Sequence, residues 1–191
     1  MDILAREHQE EVDSGNLEIP GALADLQSDL ENNGGWKIVS DGAITNMYLT
    51  SKKVQVSFHC QDTIEDADDY EEEEDDEEPV PSVRFTVTQA KAGKTMVVNG
   101  IAEYGQVKIE GVATTASTPE TIHAGQGHLP KAEYQGPEFL ELAEDLQDGI
   151  LDYLAEIGID DDVAAFIGTK TDYQEQQHYV QFLKDAQAVI G

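Results

Sequence analysis

The chain is poor in cysteine and in positive charge, and it has no long apolar run. A lone cysteine, Cys60, excludes an internal disulfide framework and fits a reducing compartment. No run of about 18 apolar residues occurs, so no membrane-spanning helix is expected. No Asn-x-Ser/Thr sequon occurs, so N-glycosylation is not expected. The opening residues Met1-Asp2-Ile3-Leu4-Ala5-Arg6-Glu7 have no apolar centre and too much acid for a signal or transit peptide. A cytosolic protein and one whose targeting segment has been removed both fit. Lys and Arg number 11 against 40 Asp and Glu, a net charge of −29. Binding to nucleic acid needs cations to neutralise phosphates, so strong direct binding is not expected. Anionic membranes repel such a chain, whereas basic proteins, polyamines and divalent cations are attracted to it.

The 191 residues suit one domain with a proper core, and 39% of them are apolar. The acid is unevenly spread. Residues 1–33 carry −8, residues 62–78 carry −13 with no base, and residues 136–191 carry −11. The stretches 34–61 and 79–135 are nearly neutral, at +2 and +1.

Those neutral stretches have the alternation of half-buried strands: Trp36–Val39, Asn46–Thr50, Val54–Phe58, Val83–Val87, Thr95–Val98 and Val107–Val112. A short seventh strand is expected at Ala132-Glu133-Tyr134. Asp41-Gly42, Ser51-Lys52-Lys53, Ala92-Gly93-Lys94 and Tyr104-Gly105 supply turns. Short turns between successive strands mean an antiparallel sheet of about seven strands.

The two ends are helical. Phe139, Leu142, Leu146, Ile150, Tyr153, Leu154 and Ile157 recur at threes and fours, with Pro137 to start the helix and Gly158 to stop it. Asp160 or Asp161 caps a second helix whose stripe runs Val163, Phe166, Ile167, Val180, Leu183 and Ile190. Pieces at Ile3–Val12 and Ala22–Leu30 are separated by Gly15 and Pro20. The expected class is α+β, with helices segregated to one side of the sheet.

The run Glu71, Glu72, Glu73, Glu74, Asp75, Asp76, Glu77, Glu78 repels itself and buries nothing. With Asp68 and Asp69 it is expected to lie in a disordered acidic loop over residues 62–81 within a single domain, 1–191. It serves either as a lure for basic partners or as a solubilising loop. Asp66-Ala67-Asp68-Asp69 and Asp160-Asp161-Asp162 lack the glycine of a calcium loop, so diffuse cation binding is expected rather than a cage. Gly93-Lys94-Thr95 has Thr88 where a phosphate loop needs its first Gly, and it lies between two strands; it is a hairpin turn. On an alternating strand Cys60 shares a face with Phe58 and opposes His59, which favours a buried structural thiol. His123 and His128 flank a Gly-rich loop and make at most half a zinc site. No nucleophile elbow, metalloprotease motif or cofactor fingerprint occurs, so no enzyme activity, cofactor or dedicated metal is expected.

Gly34-Gly35-Trp36 at the first strand, the acidic interruption after the third, and the closing segments Leu151–Asp160 and Glu175–Asp185 together resemble the mitochondrial acidic matrix protein family, also called the mitochondrial glycoprotein family. The resemblance covers nearly the whole chain. It implies a seven-stranded antiparallel sheet with one N-terminal and two C-terminal helices, assembled as a doughnut-shaped homotrimer with one very acidic face. It implies a mitochondrial matrix location, no catalytic site, and roles in mitochondrial RNA metabolism, RNA editing, translation and oxidative phosphorylation through basic partner proteins. The expected function is a non-enzymatic adaptor or chaperone for basic, often RNA-binding, proteins. Asp160, Asp161 and Asp162 and the acids from Asp68 to Glu78 are the candidate docking residues. A nucleic-acid mimic that occupies a basic groove is the alternative.

Overall fold

Where apolar and polar residues alternate, strands form, and short turns make antiparallel neighbours of β1 and β2, β2 and β3, β4 and β5, and β5 and β6. The computed structural model describes residues 2–64 and 82–190. Strands β1 (Lys37–Asp41), β2 (Ile44–Leu49), β3 (Val54–Ile64), β4 (Ser82–Lys91), β5 (Lys94–Glu103) and β6 (Gln106–Thr115) make one sheet in sequence order, each antiparallel to the next. The β4–β5 turn is Ala92-Gly93 and the β5–β6 turn is Tyr104-Gly105, all four residues at positive φ, which matches the right-handed strand twist.

Helices α1 (Asp2–Asp13) and α2 (Gly21–Asn32) precede the sheet. A short helix α3 (Pro119–Ala124) follows it, and then come α4 (Glu144–Glu156) and the 30-residue α5 (Asp161–Ile190). On one face of the sheet Val56, Phe58, Phe85, Val87 and Val98 form a dry core with Phe166, Ile167 and Val163 of α5 and Leu154 of α4. The rings of Phe58 and Phe166 meet edge to face, with centroids 6.4 Å apart. Two buried polar contacts fix where α5 crosses. Thr45 Oγ1 donates to Gln174 Oε1 at 2.9 Å, and Gln174 Nε2 donates to the Gly42 carbonyl.

Four expectations change. Among the described residues the sheet has six strands; the segment at Ala132-Glu133-Tyr134 is a turn, and only Glu138 bridges to Gly111 on β6. Its Glu133 instead accepts hydrogen bonds from Thr115 and Ser117 just past the end of β6, which holds the segment across the strand end rather than along it. The helix expected from Pro137 begins at Glu144, because Phe139–Glu141 closes a tight 3-10 turn and Leu142 is extended. Nor are all helices on one side. Ile122 of α3 and Leu129 pack on Val97 and Ala113, which face away from the main core. β3 also runs to Ile64, so Asp62, Thr63 and Ile64 belong to a strand rather than to the loop. Residues 65–81, including the expected acidic loop from Asp68 to Glu78, lie outside the described residues.

Candidate functional site

The α4–α5 corner gathers the acids of the C-terminal region. Gly158, at φ +93°, ends α4, and its left-handed backbone lets the chain reverse beside Trp36. Asp160 Oδ1 then accepts the N–H of Val163 at 3.2 Å, the side-chain cap expected from sequence. Asp161 and Asp162 follow in the first turn of α5, where the helix dipole favours negative charge. These carboxylates stand over an open groove of about 470 Å³. Its floor is Val107, Leu151, Leu154 and Ile159, and its rim is Asp152, Asp160, Asp161 and Asp162. Among the described residues no ion pair joins any of these four acids to a base. A smaller groove of about 270 Å³ continues past Asp160 to Trp36 and Lys52.

Sequence reasoning located Asp160, Asp161 and Asp162 but missed Asp152 and the apolar floor. Leu151 is the missed signal. It lies off the stripe that buries α4, beside Asp152, and remains 38% exposed. Such a groove suits a lysine or arginine whose aliphatic stem lies on the floor while its charged head meets the rim.

The opposite face of the sheet carries a different groove, of about 630 Å³. Arg84 lies at its base between Asp62 and Glu110, at 3.7 and 3.5 Å. The α3 loop closes one wall. His123 Nε2 and Thr88 Oγ1 are 2.9 Å apart, and Asn99 Nδ2 donates to the Gly127 carbonyl at 3.4 Å. Burial holds His123 at a pKa of about 4, outweighing the pull of the Glu120 carboxylate, so the ring is neutral at pH 7. Among the described residues no group of three or more His, Cys, Asp and Glu side chains is placed to hold a metal ion. Cys60 is 1% exposed on the core face. Burial first and the Glu175 carboxylate second push its thiol pKa up, against the thiolate a nucleophile needs. No described helix is long and apolar enough to cross a membrane.

Comparisons with known proteins agree with this architecture. A protein from Leishmania major, described as of unknown function and a sequence homologue of the human p32 protein, superposes with a TM-score of 0.70 at 20% identity. The match covers 100% of this chain and 96% of that one. The Trypanosoma brucei p22 protein matches with a TM-score of 0.57 at 17% identity, over 97% of this chain and 99% of that one. At such identities these likenesses speak for the fold. No curated protein sequence matches significantly. The mitochondrial glycoprotein family model (MAM33) matches residues 4–190. The near-complete family match places this acidic chain in the mitochondrial matrix: it belongs to the mitochondrial glycoprotein family.

Proposed function

We propose that the chain is a non-enzymatic adaptor or chaperone that holds basic proteins, RNA-binding proteins among them, in mitochondrial RNA processing, RNA editing, translation and oxidative phosphorylation. The observation that carries this reading is the groove at the α4–α5 corner, with its apolar floor and four acids unpaired among the described residues. Long-range attraction brings a basic segment in, and the groove then orders it. The acids from Asp68 to Glu78 add charge that raises the encounter rate. The working unit is a homotrimer. In support, the end of α5 carries Phe182 61%, Val189 86% and Ile190 65% exposed, and Ile3 of α1 is 67% exposed.

The test is binding of a lysine-rich peptide to the parent and to a variant carrying Asp152→Asn, Asp161→Asn and Asp162→Asn, which leaves the Asp160 cap in place. The variant is expected to bind roughly tenfold or more weakly, with a shallower salt dependence. Equal affinity and equal salt slope would remove the groove from the function. Light scattering of the same samples is expected to give about three times 20.9 kDa. A captured RNA-binding protein that can no longer hold RNA would favour the mimic over the adaptor.

A further inference from the structure

The chain reversal at Gly158 occupies the carbonyls at the end of α4 almost completely. The N–H groups of Ile157, Ile159 and Gly158 donate to the carbonyls of Tyr153, Leu154 and Ala155 at 3.0, 2.8 and 3.0 Å. The carbonyl of Glu156 is left over, and no backbone N–H among the described residues reaches it. Lys52, in the β2–β3 turn, donates its ammonium to that carbonyl. The negative end of a helix favours a cation at this position.

The contact lies in the smaller groove, of about 270 Å³. Leu30, Trp36 and Leu49, all buried, form its apolar wall. The carboxylates of Asp29, Glu156, Asp160 and Asp162 also line it, four against the one ammonium of Lys52. Among the described residues Lys52 forms no ion pair with any of them. Asp29 accepts from the Asn33 amide and Asp160 from the Val163 N–H, both neutral donors, so their charge is not cancelled. Ala155, Asp160 and Asp162 line both this groove and the larger one at the α4–α5 corner, so the two form one track. One half of the track is open, and the chain's own lysine stands in the other.

We propose that Lys52 is a self-ligand: it fills a second lysine-binding position, from which the next basic residue of a docked partner segment displaces it. This rests on the reading of the corner groove as the docking site for basic segments. Chemistry selects the occupant. The position already takes an ammonium on a helix-end carbonyl, beside an apolar wall that suits a lysine stem and among carboxylates in excess. A neutral or acidic segment offers nothing to replace Lys52. A segment with one basic residue fills the corner alone. A segment with two holds its second residue tethered beside Lys52, at an effective concentration that lets it compete. Lys52 therefore lowers the affinity for basic segments and keeps a captured partner releasable.

Trp36 is the only tryptophan of the chain and lines the second groove but not the corner groove, so its emission reports on the second groove. Anisotropy of a dye-labelled lysine-rich peptide measures total binding, and Trp36 emission with the unlabelled peptide measures entry into the second groove. The parent is compared with Lys52→Met, with Lys52→Arg, which keeps a charged donor at the Glu156 carbonyl, and with Lys53→Met. The last removes the same charge from a side chain that lines neither groove. Lys52→Met is expected to bind about fivefold tighter than the parent, Lys53→Met to stay within about twofold of it, and Lys52→Arg to bind no tighter. The peptide is expected to change Trp36 emission in the parent. Peptide binding with unchanged Trp36 emission, or equal tightening by Lys52→Met and Lys53→Met, overturns the self-ligand and leaves the corner groove as the docking site. So does weaker binding by Lys52→Met, which would make Lys52 a support of the groove. No peptide binding by any of the four proteins overturns both readings.

Discussion

The two faces of the sheet are built from the same strands and serve opposite ends. On the helix face Val56, Val87, Val98 and Phe58 bury against α4 and α5, with Thr45 bonded to Gln174, Tyr153 bonded to Gln89, and the Thr171 hydroxyl of α5 buried without a hydrogen-bond partner among the described residues. On the other face the same strands present Ser57, His59, Arg84, Thr86 and Asn99, covered in part by one short helix and its loop. The first face gains stability roughly in proportion to the apolar area removed from water. The second is held by a few directional contacts, so it is the face that pH and small backbone changes can open.

Truncation of Phe166, fully buried between α5 and Phe58, is expected to have the largest effect. Phe166→Ala is expected to cost about 4 kcal/mol in urea unfolding. A loss below about 1 kcal/mol would mean that the helix face does not dominate stability.

On the opposite face the corresponding weak point is a glycine. Gly127 has φ +81°, and a Cβ there would lie 2.2 Å from Thr86 Oγ1 and 2.6 Å from Asn99 Oδ1. Gly127→Ala is expected to cost roughly 2 kcal/mol and to lift the α3 loop. Amide exchange should quicken in residues 119–128 and stay slow in α5. Equal quickening in α5 would show that the two faces unfold as one unit.

The smallest effect is a pH dependence. The pKa of His123 is held at about 4 in the fold, against an ordinary value near 6.5. The unfolded chain therefore binds more protons between those values. The contribution is fully present above pH 6.5 and is lost as pH falls through 4. Allowing for partial solvent access, the loss at low pH is about 2 kcal/mol. Reduced self-repulsion of the acids acts in the opposite sense, so the parent is compared with His123→Gln, in which only the histidine term is gone. A parent and a variant that lose the same stability between pH 7 and pH 4.5 would show that His123 does not hold the loop.

Much of this was legible because each signal is local. Alternation around Val54–Phe58 put Cys60 in the core and His59 outside it, and Asp160 announced a cap that its 3.2 Å bond to Val163 makes. Gly158 ended α4 where expected. The misses are of another kind. Pro137 marked a helix start that the tight turn at Phe139 postponed by seven residues. Ile190 fell on the α5 stripe yet is 65% exposed, because periodicity shows which side of a helix is apolar, not how far its neighbours extend. Thr118-Pro119 carried the start of α3, but six residues make too short a pattern to register.

By itself, then, the sequence determined the charge, the strand order and the helix caps, since these depend on composition, on a two-residue period and on hydrogen bonds within one turn. Only the tertiary structure decided that Val107, Leu151 and Asp162 would meet in one groove, and that Lys52 would reach the carbonyl of Glu156, 104 positions further on. Those meetings depend on strand register and on the angle at which α5 crosses, and both are set by packing between residues far apart in the chain.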